Sequence, residues 1–461
     1  MRFWPLGLFL SVSLVSVVQA DDRLKGASRQ PGGNNGWIQV HLQGDGATRG
    51  YQHGYLLSAE IEDAKKAVEL SVTHEVNKSW SDLRQVAEKM TWPKIPTEYR
   101  QELEGIAAGL KAKGSKLDVI DVVALNEWME FPYYYDELKK RHGTTMTSSV
   151  AEHCSAFVAT GRYTKDGRIV IGHNNWSDYL TGSRWKVIFD ISPTTGHHFI
   201  MDGVPGLIHS GDDFGINDAG IMITETTLPS FVGFDENGVP EFVRARKAMQ
   251  YAESIDDFAR IMEEGNNGGY ANTWLVGDRK NNEIGRLELG LKNVILEKTK
   301  DGYYVGSNFT INEKLAKEET TFPMSDMNTP NQVRHRRWDM LMEQYKGKID
   351  VEAGKLFETD HYDMITKEID PNERTLCGHV DKSSRGLSSD WGPYNAAGAV
   401  EAKVADSAMA EKLSFVAGAG HPCGVAFHAK QHLKDHPDQA WQASELEDLK
   451  ANAWTVVSAS R

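Results

Sequence analysis

Cysteine is scarce: Cys154, Cys377 and Cys423 are the only three in 461 residues, so stability has to come from a packed core rather than a disulfide scaffold. Positive charge is short as well, with 51 Lys and Arg against 65 Asp and Glu and a formal net charge of −14. A field of that sign repels phosphate backbones and anionic lipid surfaces, so no nucleic-acid partner is expected. The densest basic cluster, Arg334-His335-Arg336-Arg337, reads as a solvated helix face. Beyond the first twenty residues no apolar run approaches the roughly 18 residues of a membrane span. A GxSxG elbow, a GxGxxG or P-loop glycine pattern, an HExxH helix and paired CxxC motifs are all missing, which leaves serine-esterase, nucleotide-binding and zinc-enzyme signatures unsupported. His421, Cys423 and His428 lie close in sequence, as do His197 and His198, but without ligand spacing. No metal and no cofactor is expected.

Hydrophobic residues make up 40% of the chain, and 42 glycines bring it to the globular norm of about half. Length alone suggests about three domains, and one large mixed domain with extensions fits equally. The N-terminus reads as an export signal: Arg2, an apolar stretch from Phe3 to Val18 broken only by three serines and Pro5, then Val18-Gln19-Ala20 before Asp21. Cleavage after Ala20 would leave a soluble chain that is secreted, periplasmic or held in a lysosome-like lumen. In such a compartment an odd cysteine count leaves one thiol over. Cys377 and Cys423, in the loops TLCGHV and GHPCGV, are candidates for a single disulfide, which spacing does not decide. Cys154 is then the odd one out.

Residues 21–153 look mostly helical. Apolar residues recur at three- and four-residue spacings from Tyr55 to Leu70 and from Tyr99 to Leu110, and a third helix is predicted over Val119–Phe131. The texture changes at Cys154. From there to about residue 310 short β-branched and aromatic runs alternate with Asp-Gly, Asn-Asp and Gly turns, including CSAFVATGRY, RIVIGHNNW, GIMITETTL and YYVGSN. One helix over Pro240–Glu264 interrupts them, and helices return over Asn331–Tyr345.

The strongest local signal is His153-Cys154-Ser155-Ala156-Phe157 opening a strand, with Gly172-His173-Asn174-Asn175-Trp176 ending the next. A turn at Asp166-Gly167 makes the two antiparallel neighbours. Together with Ser210-Gly-Asp-Asp-Phe214, Gly220-Ile-Met-Ile-Thr-Glu225-Thr226-Thr227, Tyr270-Ala-Asn272-Thr-Trp274 and Tyr304-Val-Gly-Ser-Asn308, these segments resemble the phospholipase B-like proteins. More distantly they resemble the penicillin acyltransferase (C45 peptidase) and bile salt (choloylglycine) hydrolase branches of the N-terminal-nucleophile hydrolases. Gly50-Tyr-Gln-His-Gly-Tyr55 and Glu104-Gly-Ile-Ala-Ala-Gly109 resemble the pro-region of those proteins.

The resemblance implies an α+β fold, a four-layer α/β/β/α sandwich of two antiparallel sheets between helical layers. It also implies a precursor cut between His153 and Cys154, with 21–153 staying bound as a second chain. An N-terminal cysteine carries nucleophile and base on one residue, because an α-amine titrating at about 7.7–8.0 takes the thiol proton near neutral pH. The same resemblance assigns Asn308 to the oxyanion and Arg334, or Arg337 in another alignment, to ordering the site. His173 stands where the bile salt branch has an arginine, and Trp176 where it has an aspartate. Trp176, Asn272, Asn174, Glu225 and Thr226 are expected to orient or contact substrate, a small acylated molecule. That molecule is either an N-acyl amine cut by an amidase or a glycerophospholipid cut by a phospholipase B-type deacylase, and the alternative to an enzyme is a non-catalytic exported lipid-binding protein of the same fold. Phe131-Pro-Tyr-Tyr-Tyr135 could line an acyl pocket or pack a core. Asn77, Asn175 and Asn308 each open an N-x-S/T triplet, two of them at the expected site, where a glycan would block it.

Overall fold

Side chains of a strand alternate between its two faces, so a strand apolar at every position must be covered on both sides. The segment Ser155–Thr160, buried at all its positions, is such a strand, and so is Ile221–Thr227. The computed structural model describes residues 21–32, 35–141, 154–211, 214–386 and 391–460 and shows how both are covered. The export-signal segment and His153 lie outside the described residues.

The strands run in chain order as β1 (Ser28–Gln30), β2 (Ile38–Gly44), β3 (Ser155–Thr160), β4 (Val170–Asp178), β5 (Val187–Pro193), β6 (Phe199–Gly203), β7 (Phe214–Asn217), β8 (Ile221–Thr227), β9 (Asn272–Asp278), β10 (Glu283–Leu289), β11 (Val294–Thr299) and β12 (Gly302–Gly306). A two-residue hairpin, β13 (Tyr362–Asp363) with β14 (Glu368–Ile369), precedes β15 (Ala397–Asp406), β16 (Ser414–Ala419) and β17 (Thr455–Ser458). One sheet has the order β1-β2-β5-β6-β7-β8-β9-β10-β11, the other β12-β3-β4-β15-β16-β17. All neighbours are antiparallel except β2 and β5, which run parallel, so the first sheet departs from the expected wholly antiparallel pattern. The N-terminal segment causes this by adding β2 beside a strand that comes some 150 residues later in the chain.

The two sheets stack. Ala156, Val158 and Ile171 of the six-stranded sheet meet Ile188, Ile200, Met222 and Leu275 of the nine-stranded one. On the outer face of the nine-stranded sheet, Phe189, Met201 and Trp274 pack under Leu103, Ile106, Phe242 and Phe258 of helices. On the outer face of the other, Phe157, Val170 and Val404 pack under Trp338, Leu341 and Phe357. The four layers are those expected, α/β/β/α.

Two helical expectations need correction. Pro240–Glu264 is two helices, Glu241–Tyr251 and Ile255–Glu263, because Ser254 accepts from the Asp257 N–H and so caps a new start. Val119–Phe131 ends at Glu127, and a separate helix runs Phe131–Arg141. In that helix Phe131 and Tyr135 belong to the main core and Tyr133 to a smaller one, so these aromatic rings pack, and of the Phe131–Tyr135 run only Pro132 lines the cleft beside Cys154.

The glycines of the two N-terminal motifs have a steric cause. They let the helices Gly46–Leu56 and Thr97–Ala112 touch backbone to backbone. A Cβ on Gly50 would lie 2.0 Å from the Glu102 carbonyl oxygen, and one on Gly109 would lie 2.3 Å from that of Tyr51.

Candidate active site

Cys154 sits at the open end of β3, and register pairs Ala156 with His173 and Ser155 with Asn174. Alternation therefore puts Cys154 and His173 on the face between the sheets, and Ser155, Asn174 and Trp176 on the face toward the helix Pro330–Gln344. The Cys154 sulfur, a His173 ring nitrogen and a Glu225 carboxylate oxygen all lie within 4.8 Å of one another. All three residues are buried. A thiol, an imidazole and a carboxylate gathered this closely are the residue types of a nucleophile with a base beside it. The same three atoms could also serve as metal ligands.

Arg334 links Cys154 to Asn308 from behind the sheet. Its Nη1 donates to the Cys154 carbonyl at 2.5 Å and to Ser155 Oγ at 3.2 Å, and its Nη2 donates to Asn308 Oδ1 at 3.3 Å. The guanidinium lies 4.8 Å from the centre of the Trp176 ring. Burial pulls it down to about 9, against the attraction of Cys154. Arg337, the other candidate, points elsewhere: it forms a two-pronged pair with Asp360 at 2.9 and 2.6 Å. The cluster read as a solvated face is in fact buried at Arg334 and Arg337, because one side of that helix covers the six-stranded sheet.

Asn308 follows β12 with φ at +54°, a left-handed conformation that Asn tolerates better than most residues. With Oδ1 accepting from Arg334, its Nδ2 is oriented as a donor and bonds the Thr227 carbonyl at 3.0 Å. A second N–H on the same nitrogen is unused among the described residues. Asn272 stands in register opposite Thr227, and Thr226 fills the space a Cβ on Gly306 would need, 2.6 Å from its methyl. Asn174 does not join the site: its amide donates to the Glu358 carbonyl at 2.6 Å on the helix side of β4. Asn175 and Asn308 are buried, which leaves no room for a glycan on the folded chain at either.

In front of Cys154 lies a cleft of about 760 Å³, its open mouth included. Its lining is mixed: Val72, Trp128, Met129, Pro132, Trp185 and Trp391 are apolar, while Asn175, Tyr270 and the acidic Glu75, Asp178 and Glu225 bring polar atoms. Sequence patterning missed Trp128, Tyr270 and Trp391, because nothing local distinguishes a pocket tryptophan from a core one. It also missed a buried charge group beside His173. Lys403, its register partner on β15, pairs with Asp202 at 2.8 Å and with Glu401.

The Cys377–Cys423 disulfide considered above is not formed. Both are thiols, and His379 Nε2 stands 3.7 Å from the first sulfur and 3.5 Å from the second.

Comparison with known proteins gives this layout a family. The phospholipase B family profile matches residues 62–348, and the chain belongs to that family. Among its relatives are an uncharacterized protein of Archaeoglobus fulgidus, 28% identical over 54% of this chain and 43% of its own, and the putative phospholipase B-like 1 of Caenorhabditis elegans, 25% identical over 68% of this chain and 59% of its own. The chain thus spans about half the length of these relatives. A solved structure, that of a mutant conjugated bile acid hydrolase from Clostridium perfringens, aligns with 67% of this chain and 97% of its own at 10% identity, with a TM-score of 0.37. No helix among the described residues is long and apolar enough to cross a membrane.

Proposed function

We propose that the protein is an exported, self-processing N-terminal-cysteine hydrolase that cleaves an acyl amide or ester through a thioester on Cys154. The observation that carries this reading is the buried Cys154 sulfur lining a cleft of mixed polar and apolar character, with His173 and Glu225 within 4.8 Å. In the precursor the thiol attacks the His153 carbonyl and expels the Cys154 nitrogen, which takes up a proton. Water then hydrolyses the thioester, leaving a carboxylate on His153 and a free α-amine on Cys154. In turnover that amine accepts the thiol proton, the thiolate adds to the acyl carbonyl, and the amine returns the proton to the leaving nitrogen or oxygen. Asn308, with one amide N–H to spare, is the donor assigned to the oxyanion. Arg334 positions both residues, and water resolves the thioester.

The aromatic and aliphatic part of the lining, Val72, Trp128, Met129, Trp185 and Trp391, suits a fatty or aromatic acyl chain. Family membership brings glycerophospholipid esters onto the substrate panel beside acyl amides. Residues 21–153 stay with 154–461 in this account, because β2 and the N-terminal helices share one core with the later strands. Wild type and Cys154→Ala, compared by intact mass and by turnover of acyl-amide and phospholipid panels, test the reading. An active Cys154→Ala would refute it.

A further inference from the structure

Three chain segments, one on each side of the β13/β14 hairpin and one some 40 residues later, bring four metal-ligating side chains to one point behind the catalytic cleft. One ligand atom each from His361, Cys377, His379 and Cys423 lies within 4.8 Å of every other. A tetrahedral zinc ion, with Zn–S about 2.3 Å and Zn–N about 2.0–2.1 Å, sets sulfur and nitrogen ligands roughly 3.5 Å apart. His379 Nε2 stands 3.7 Å from Cys377 Sγ and 3.5 Å from Cys423 Sγ. A single ring nitrogen at this distance from two thiols has the spacing that a common tetrahedral ion sets. His361 Nε2 is buried and has no hydrogen-bond partner among the described residues.

The surroundings fit a ligand set. Behind His379, Nδ1 faces Asp381 Oδ1 at 3.6 Å, and that carboxylate oxygen accepts from the Tyr179 hydroxyl at 2.9 Å. A carboxylate behind a histidine directs the far nitrogen to a metal. His421, whose ring centre is 4.5 Å from that of His379, is excluded: its two nitrogens contact the Val425 carbonyl and the Tyr179 hydroxyl at 2.8 and 2.9 Å. Gly378, between two of the ligands, lies flat on the Trp176 ring, where a Cβ would fall 2.1 Å from the indole. The Trp176 Nε1 donates to the Leu376 carbonyl at 3.1 Å. All four residues lie beyond the 62–348 stretch that defines the family match.

We propose that His361, Cys377, His379 and Cys423 bind one zinc ion, a structural site that fastens the 361–379 segment to the 421–423 turn behind Trp176. On binding, both thiol protons leave to solvent, and two thiolates with two neutral imidazoles balance the ion's charge. A neutral cluster is what a mostly buried position tolerates.

The test is metal content by mass spectrometry on the full-length protein made without added chelator. The variants are Cys154→Ala and Cys423→Ser, the latter at the half-exposed ligand. The expected result is one zinc per chain in wild type and in Cys154→Ala, and a loss to near zero in Cys423→Ser. Cobalt loaded in its place should give the visible bands of a tetrahedral thiolate site, a readout that needs no variant to fold. Two results would overturn the proposal. One is a metal-free protein, shown either by a 2 Da deficit from a Cys377–Cys423 disulfide or by free thiols that give no cobalt–thiolate spectrum. The other is a metal lost in Cys154→Ala and retained in Cys423→Ser, which would place the ion at the Cys154, His173 and Glu225 group instead.

Discussion

Replacing Arg334 with lysine keeps the charge and removes the planar fork. In the wild type that fork serves three acceptors, the Cys154 carbonyl, Ser155 Oγ and Asn308 Oδ1, on residues that are all buried. A lysine ammonium on its flexible stem reaches one of them. Two hydrogen bonds from a charged donor are then lost, at about 1.5–3 kcal/mol each, and their acceptors stay dry, so unfolding should become easier by about 3–6 kcal/mol. Arg337→Lys is the comparison, since it breaks the two-pronged Asp360 pair on the same helix without touching Cys154. Urea denaturation should show both variants destabilised. Only Arg334→Lys should slow the appearance of a chain beginning at Cys154 and lower turnover, by about 100-fold for a displacement on the order of 1 Å. An Arg334→Lys protein that is destabilised yet processes and turns over at the wild-type rate would refute the positioning role.

Three further outcomes follow from the same geometry. Asn308→Ala should lower kcat by about 10²–10³-fold, the loss seen when one oxyanion donor is removed, with KM little changed; a drop confined to KM would remove Asn308 from that role. Gly50→Ala should destabilise by about 1–3 kcal/mol or more, because its methyl would meet the Glu102 carbonyl oxygen at 2.0 Å; an unchanged urea midpoint would contradict the close helix contact. Asp190 is held below the usual carboxylate range, against the effect of burial, by His198, by His41 at 2.7 Å and by the Ser460 N–H, and it raises His41. The lowered carboxylate stabilises above its unfolded value of about 3.9 and loses this as pH falls; the raised imidazole stabilises below about 6.5 and loses this as pH rises through its folded value. The stability gap between wild type and Asp190→Asn should therefore be widest between about pH 4 and 6.5, and a gap independent of pH would show the pair to be electrostatically silent.

Local patterning carried a large part of the fold. The runs CSAFVATGRY and RIVIGHNNW became β3 and β4 with the expected antiparallel pairing, and Tyr99–Leu110 lies inside the helix Thr97–Ala112. What was illegible is non-local. The parallel β2/β5 pair depends on a partner some 150 residues away. The choice between Arg334 and Arg337 turns on helix phase at one position, and both have apolar neighbours in sequence. Asn174 and His173 are adjacent in sequence yet end on opposite faces of β4. The quartet of His361, Cys377, His379 and Cys423 has no ligand spacing because the fold, not the chain order, assembles it.

The central claim is that Cys154 becomes an N-terminus and acts as the nucleophile. Intact mass and N-terminal sequencing of purified wild type and Cys154→Ala test it most directly. The account predicts a wild type split between His153 and Cys154 into two chains that co-purify, and a Cys154→Ala chain that stays whole and inactive. A wild type that remains whole through Cys154 under reducing conditions across a range of pH, while still turning over acyl substrates, would contradict it.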